Sequence, residues 1–433
     1  MRFPTAVAAG LALSALAGAA RADTLKVPSE EFATIQSAVT AAGEGDTVVV
    51  TGGTWTETVT VSGRINLRIL GKGGPVIEPG PSAMGFVVVA GSQFIEISGF
   101  TIDGALRGVA VGNSMDVKIR KVVVDSSASD GISMSACNRV LISKCVVNAA
   151  GGHGISDDSS VDVTVEKCVL GTTGSGSAIY LSTQNLPGEG SDRAKISRNK
   201  IVAGYNGISL GGQEIVVEKN SVEGVQNYGI YFDASTSPVG AVVAKNSVTV
   251  PDGSYGIYFY GINFQVTRNR LRGGGIFEYG NGSVLDRNAV AGGFYGIYCA
   301  GSGATVSRNS IKDVQGDGIF TGNYVQSIDG NKIRAPGGHG IQMNSSGGPI
   351  TKNVVWDAGN SGFFVPSGGN TLTGNMSVNA DRFGFYVSGS ANTLSKNKAK
   401  GSGLFDLADP NAPGANTYNP DNRFGTTQIP YVP

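Results

Sequence analysis

Four segments, GIFTGNYVQSIDGN (318–331), GIQMNSSGGPITKN (340–353), GFFVPSGGNTLTGN (362–375) and GFYVSGSANTLSKN (384–397), repeat one pattern without a slipped residue. Each opens on Gly and a large apolar residue, the openings fall 22 residues apart, and each closes on an Asn 13 residues after its Gly. Short alternating runs divided by Gly and Asn at a fixed period of this size are the signature of a solenoid, each repeat forming one coil. In Gly340-Ile-Gln-Met-Asn the apolar residues alternate, as in a strand with one buried face, and helical periodicity is nearly absent from the chain.

Working outward, the Gly-Ile opening returns at Gly296, Gly275, Gly256, Gly229, Gly207, Gly154 and Gly131, with Ala178-Ile179 in its place once. The partner Asn returns at Asn309, Asn288, Asn269, Asn246, Asn220 and Asn199. Gly and Asn are expected to supply left-handed backbone at the corners, and stacked Asn side chains to bond to one another along the coil axis. The expected fold is all-β: a solenoid of short strands, each pairing in parallel with the next coil, running as one domain over residues 23–433.

The repeats, with the opening Ala33-Thr-Ile-Gln-Ser-Ala-Val-Thr-Ala-Ala-Gly-Glu-Gly-Asp and Gly53-Thr-Trp-Thr-Glu, resemble the pectate-lyase-like superfamily over about residues 24 to 425. That resemblance implies a single-stranded right-handed parallel β-helix. For activity it implies a wide choice, since the superfamily holds lyases, glycosidases, epimerases, phage tailspikes and non-catalytic surface or maturation proteins. Its polygalacturonase-like branch carries Gly-His-Gly and Asp-Asp motifs, which direct attention to His153, Asp157 and Asp158 as catalytic candidates. Here the Asp pair follows His153 directly, and no Arg-Ile-Lys comes after it. Tyr228-Gly-Ile-Tyr-Phe-Asp233 matches the first half of an alginate-epimerase element and lacks its Pro-His. The lyase pattern of calcium-binding acids is not located by motif, which leaves the use of calcium open.

Basic and acidic residues balance at 33 each, which argues against nucleic acid as the main partner. Arg2, the apolar run Ala6 to Ala20 and Ala20-Arg21-Ala22 predict a signal peptide over residues 1–22, and so a secreted or periplasmic mature protein. No later stretch reads as a membrane span. Cys145 and Cys168 occupy the column that Asn199 holds one coil later and should stack about 4.8 Å apart. Both a disulfide and a pair of stacked thiols fit that spacing. No Cys or His pair has metal-ligand spacing, so no metal site is expected.

Phe32, Ile35 and Val39 lie at helical spacing and predict a short helix that caps the first coil, within about residues 24–45. Thr47 to Val50, Thr58 to Val61 and Leu67 to Leu70 read as the first strands, and Leu404-Phe-Asp-Leu with Asn416 to Gly425 as a closing cap within about 401–433. Two coils are long just after the Gly-Ile strand, which predicts loops around Ser182 to Ala194 and Asp233 to Gly240 on one edge.

Alternation puts the residue after Gly-Ile on the outer face. That column reads Ser133, Ser156, Tyr180, Ser209, Tyr231, Tyr258, Phe277, Tyr298, Phe320, Gln342, Phe364, Tyr386. Such a ladder of rings suits an extended polysaccharide, with Tyr180, Tyr231, Asp233, Tyr258, Phe277 and Tyr298 as substrate-binding candidates. It also fits rings that simply stack on cross-strand neighbours. Asp157 would point inward on a strand, and burying a carboxylate is costly, so a strand end or bulge is expected that exposes Asp157 and Asp158 together. Asp233, Glu189, Asp192 and Glu278 are further acids expected on this edge. His153 and His339 each follow an Asp, Asp130 or Asp317, by one coil, which suits an acid/base pair or a corner contact. Three functions therefore stand: an exported glycan-binding β-helix, a polysaccharide lyase, hydrolase or epimerase on the same face, or a structural surface protein.

Overall fold

The computed structural model describes residues 22–182, 192–236, 238–346 and 348–428. The expected signal peptide, apart from Ala22, most of the first long loop with Glu189, and residues 429–433 of the expected cap lie outside the described residues. Within them the chain winds as a parallel β-solenoid. Its three ladders run the length of the molecule, the longest with 18 strands. The front ladder holds the Gly-Ile strands, such as Ile132–Ser135, Ile155–Asp158 and Ser177–Ser182. A second ladder follows after a turn, and the third after the Asn corner, as in Thr164–Glu166 and Val169–Thr172.

Coil-to-coil register puts like above like. Ile297, Ile319, Ile341, Phe363 and Phe385 are partners in succession and all are buried. Phe363 and Phe385 stack with ring centroids 4.5 Å apart. A buried face one residue out of phase with an outer one is what the alternation in sequence demands.

The repeat Gly is required for a reason other than the expected left-handed turn. Gly296 and Gly318 do not have positive φ. A Cβ on Gly296 would lie 2.4 Å from the carbonyl oxygen of Gly318 and 2.4 Å from Ile311 Cγ2. Only a residue without a side chain lets the front ladder pass this close to the next coil and to the third ladder. The left-handed corner falls instead on the residue before each ladder Asn from Asn199 to Asn397, and before Cys145 and Cys168 at the head of that column. Lys144, Lys167, Arg198, Lys219, Lys245, Arg268, Arg287, Arg308, Lys352 and Lys396 have φ between 53° and 59°, while Gly330 and Gly374 take the same place in two coils. The corner thus accepts a long exposed side chain at roughly 1 kcal/mol of backbone strain, and the Asn beside it holds the bend.

That Asn column is continuous from Asn199 to Asn422. Asn309 donates its backbone N–H to Asn331 Oδ1 (2.9 Å), and its Nδ2 to Leu285 O (2.8 Å) and to Asn331 Oδ1 (3.0 Å). The same bonds recur coil after coil, satisfying buried backbone groups where the chain turns. Cys168 heads the column, its N–H on Asn199 Oδ1 at 2.9 Å. All four cysteines are buried free thiols, so of the two readings of Cys145 and Cys168 the structure has stacked thiols.

At the N-terminal end the expected helix is present as Ile35–Ala41, burying Ile35, Ala38 and Val39. Thr34 caps it, and Glu57 accepts the N–H groups of Ile35 and Gln36, both at 2.9 Å. At the other end coil pairing continues through the segment expected to close the solenoid. Phe405–Ala408 pairs with Phe383–Val387, and Asn422 receives the backbone N–H of Asn397 at 2.9 Å.

Candidate functional site

The front ladder presents three outward columns. The central one follows the sequence column residue for residue, Tyr231, Tyr258, Phe277, Tyr298 and Phe320 being partners in succession. Its rings pack along the axis: Tyr231 lies tilted by 42° against Tyr258 at 5.8 Å, Phe277 stacks on Tyr298 at 5.8 Å, and Tyr298 on Phe320 at 4.8 Å with parallel planes. Ring faces are therefore largely taken up by neighbouring rings, and what the ladder turns outward is ring edge and phenol hydroxyl. Phe277, expected among the exposed rings, is buried between Tyr255, Tyr258, Tyr295 and Tyr298 and forms the floor of the cluster.

Two flanking columns widen this ladder into a patch. Tyr228, Tyr255 and Tyr295 stand one place before the repeat Gly, and Tyr260 and Tyr279 stand two places after the central ring. Tyr228 stacks on Tyr231 at 4.7 Å and on Tyr255 at 5.0 Å, while Tyr260 stacks on Tyr279 at 5.1 Å. Tyr258 and Tyr260 share a hydroxyl hydrogen bond of 3.0 Å. The sequence reading passed over these five tyrosines, although they recur at coil spacing like the central column. Burial, and then the charge of Asp233, push the Tyr231 phenol up to about 12. Burial likewise raises Tyr228, Tyr258, Tyr279 and Tyr295. All five are neutral hydroxyls near neutral pH, able to donate and to accept.

Tyr180 stands apart from this patch. Ser209, buried and sharing a 2.9 Å hydrogen bond with Ser177, separates its coil from that of Tyr231. Tyr180 stacks instead on His153, at 4.4 Å with planes 12° apart. These two border an open groove of about 470 Å³ whose walls include Met84, Arg107, Asp130, Ser156, Asp158 and Ser182. Asp130 is its hub. It accepts the His153 backbone N–H (2.8 Å) and the Ser156 hydroxyl (3.0 Å), and Arg107 lies 3.8 Å away.

The expectation that Asp157 and Asp158 are exposed together fails for Asp157. The strand Ile155–Asp158 runs in register with both neighbours and has no bulge, leaving Asp157 inside the coil at 2% exposure. What makes the inward carboxylate tolerable is the turn just beyond, where Asp157 Oδ2 accepts the Ser160 N–H at 3.3 Å. Asp158 is exposed and accepts from Ser159 Oγ at 3.1 Å. The structure thus keeps Asp158 and His153 in the groove, while Asp157 faces the core beneath it.

Both histidines make corner contacts. His153 Nδ1 accepts the Ser177 N–H at 3.0 Å, and His339 Nδ1 accepts that of Ser361 at 3.3 Å. In each case the preceding Asp bonds to the histidine backbone. Burial lowers the pKa of His153, and burial with Arg382 nearby takes His339 down to about 4. Each is a neutral imidazole packed flat on a ring, since His339 stacks on Phe364 at 4.7 Å.

Glu278, expected on the exposed edge, is fully buried inside the coil between Phe259 and Cys299. Strand alternation places it there, between Phe277 and Tyr279 in sequence. Its Oε2 accepts the Gly301 N–H at 3.2 Å, and burial raises its pKa to about 7. Asp233 lies in the outward column next to Tyr260, and its Oδ1 accepts the Ser235 N–H at 3.0 Å. Asp192 accepts the Gln213 N–H at 2.8 Å, at the corner leading into the second ladder. No group of three or more His, Cys, Asp or Glu side chains that could hold a metal occurs among the described residues. No helix among them is long and apolar enough to cross a membrane.

By sequence, the family described as "Right handed beta helix region" matches residues 85–248, 206–324 and 275–419. No curated protein matches the chain. Among solved structures, the PL6-family alginate lyase AlyGC is similar at 11% identity, with 92% of this chain and 75% of that one covered and a TM-score of 0.53. The surface adhesin PfbA of Streptococcus pneumoniae is similar at 16% identity, covering 76% of this chain and 86% of that one, with a TM-score of 0.49. The tailspike protein of E. coli bacteriophage HK620, solved with a pentasaccharide, is 13% identical over 88% of this chain and 72% of that one, with a TM-score of 0.44. At 11% identity the likeness to the alginate lyase is one of fold alone.

Proposed function

This chain belongs to the right-handed β-helix family, and on that premise we propose that it is an exported protein that holds an extended polysaccharide along its front ladder. The observation that carries this reading is the tyrosine patch. Eight phenols, from Tyr228 to Tyr298, converge on one face of the solenoid. Packing alone accounts for rings stacked in one column; two flanking columns that add hydroxyls to the same surface go beyond what packing needs. Phenol hydroxyls beside ring edges match a polyol that offers C–H surface and hydroxyls together.

The test is retention of the purified mature protein on a panel of neutral and acidic polysaccharides. Retention should fall at least roughly tenfold, a loss of about 1.4 kcal/mol, in the double variant Tyr231→Ala, Tyr258→Ala. An unchanged retention in that variant sinks the reading. The groove around Asp130 favours a second reading, a polysaccharide-processing enzyme that uses Asp158 with His153 and Tyr180. It predicts release of unsaturated uronate or of reducing ends that disappears in Asp158→Asn.

A further inference from the structure

From Asp130 onward charge on the front ladder is segregated; Arg107, in the flanking place one coil earlier, lies 3.8 Å from Asp130. Across its three outward columns, from Asp130 to Ser388, no position is Lys or Arg. The acids there are Asp130, Asp158, Asp233 and Asp317. Residues 183–191, 237 and 347 contain no Lys or Arg either. Yet the chain carries 33 basic residues. Over this stretch many of them stand at the corner before the ladder Asn, as Lys219, Arg287 and Arg308 do. The charges acting on the patch are carboxylates: Asp233 on Tyr231, and Asp317 on Tyr295.

From this arrangement we propose that the tyrosine patch takes an uncharged glycan and discriminates against uronate polymers. The inference rests on the glycan-binding reading and names its substrate class. A uronate chain brings a carboxylate with every sugar. On this face each would lose part of its hydration against ring edges with no cation to replace it, and would meet the carboxylate of Asp233, with Asp317 buried behind Tyr295. Neutral sugar hydroxyls meet only phenols that donate and accept, at no charge cost. Specificity here comes from withholding a cation as much as from attraction to the right polymer.

Affinity electrophoresis of the full chain decides it, run in EDTA through gels containing dextran or glucomannan as neutral polymers, and alginate or polygalacturonate as uronate polymers. The expected result is retardation by a neutral polymer that weakens in Tyr258→Phe, a change that keeps the ring stack and removes one hydroxyl. Retardation by the uronates should be at least roughly tenfold weaker, and Asp233→Asn should narrow the gap. A uronate polymer bound as well as or better than the neutral ones, through the same tyrosines, overturns the substrate class and leaves glycan binding standing. Retardation by none of the polymers overturns both.

Discussion

Glu278 and Asp157 are adjacent to outward residues in sequence and face opposite to them in space. Glu278 matters for pH. Its carboxyl titrates near 4.5 in the unfolded chain and near 7 in the fold, so between those values the folded chain holds a proton that the unfolded chain has released. Stability therefore falls as pH rises through this window, and the full cost, on the order of 3 kcal/mol, is present above it. Glu278→Gln should raise the thermal midpoint at pH 8 and change it little at pH 4.5. Melting curves at the two pH values check this, and an equal shift at both would show that the ionised carboxyl is not the source. The half-buried histidines run the other way, because burial lowers their pKa: acid must protonate them where the fold accommodates only the neutral ring. Unfolding near pH 4 should set in earlier with His339 present than in His339→Gln.

At the scale of the coil, two rows hold the solenoid. Replacing Asn309 by Ala removes the acceptor of the Asn288 backbone N–H (2.8 Å) and the donor to Leu285 O (2.8 Å), leaving both buried. A loss of about 3 kcal/mol is expected, measurable as a lower urea midpoint. Gly296→Ala should cost at least as much, because its Cβ meets a backbone carbonyl that cannot move without shifting a coil. Lys245→Gly, at a left-handed corner with φ 59°, should stay within about 1 kcal/mol of the parent, since the relieved strain and the added freedom of the unfolded chain nearly offset. If Lys245→Gly were the most damaging of the three, this division of labour between Gly and the corner residue would be refuted.

At the scale of the molecule, a solenoid is stable only if its first coil is covered, because an open end exposes unpaired strand edges and core side chains. Helix Ile35–Ala41, fixed by Glu57 and Thr34, does this over Val59–Ser62. Deleting residues 22–45 should give a protein that self-associates or aggregates, seen as early elution on size exclusion, while the double variant in the tyrosine patch should elute as the parent does.

What the sequence by itself determined was the solenoid: coil boundaries, ladder directions, the Asn column and the central aromatic column are all periodic, and a one-dimensional repeat maps directly onto a fold that stacks nearest neighbours. Whether an acidic residue keeps to the period was not legible in the same way. That Asp157 stays inward depended on the Ser160 N–H in the turn beyond it, and the inward place of Glu278 on a strand that keeps its alternation. Only the tertiary structure brought Tyr228, Tyr255, Tyr295, Tyr260 and Tyr279 beside the central column and set Asp130 between Arg107, His153 and Ser156. The reason is physical: a coil's register decides what lies above and below a residue, but what lies beside it depends on how sharply the strands turn, and close packing at those turns decides that.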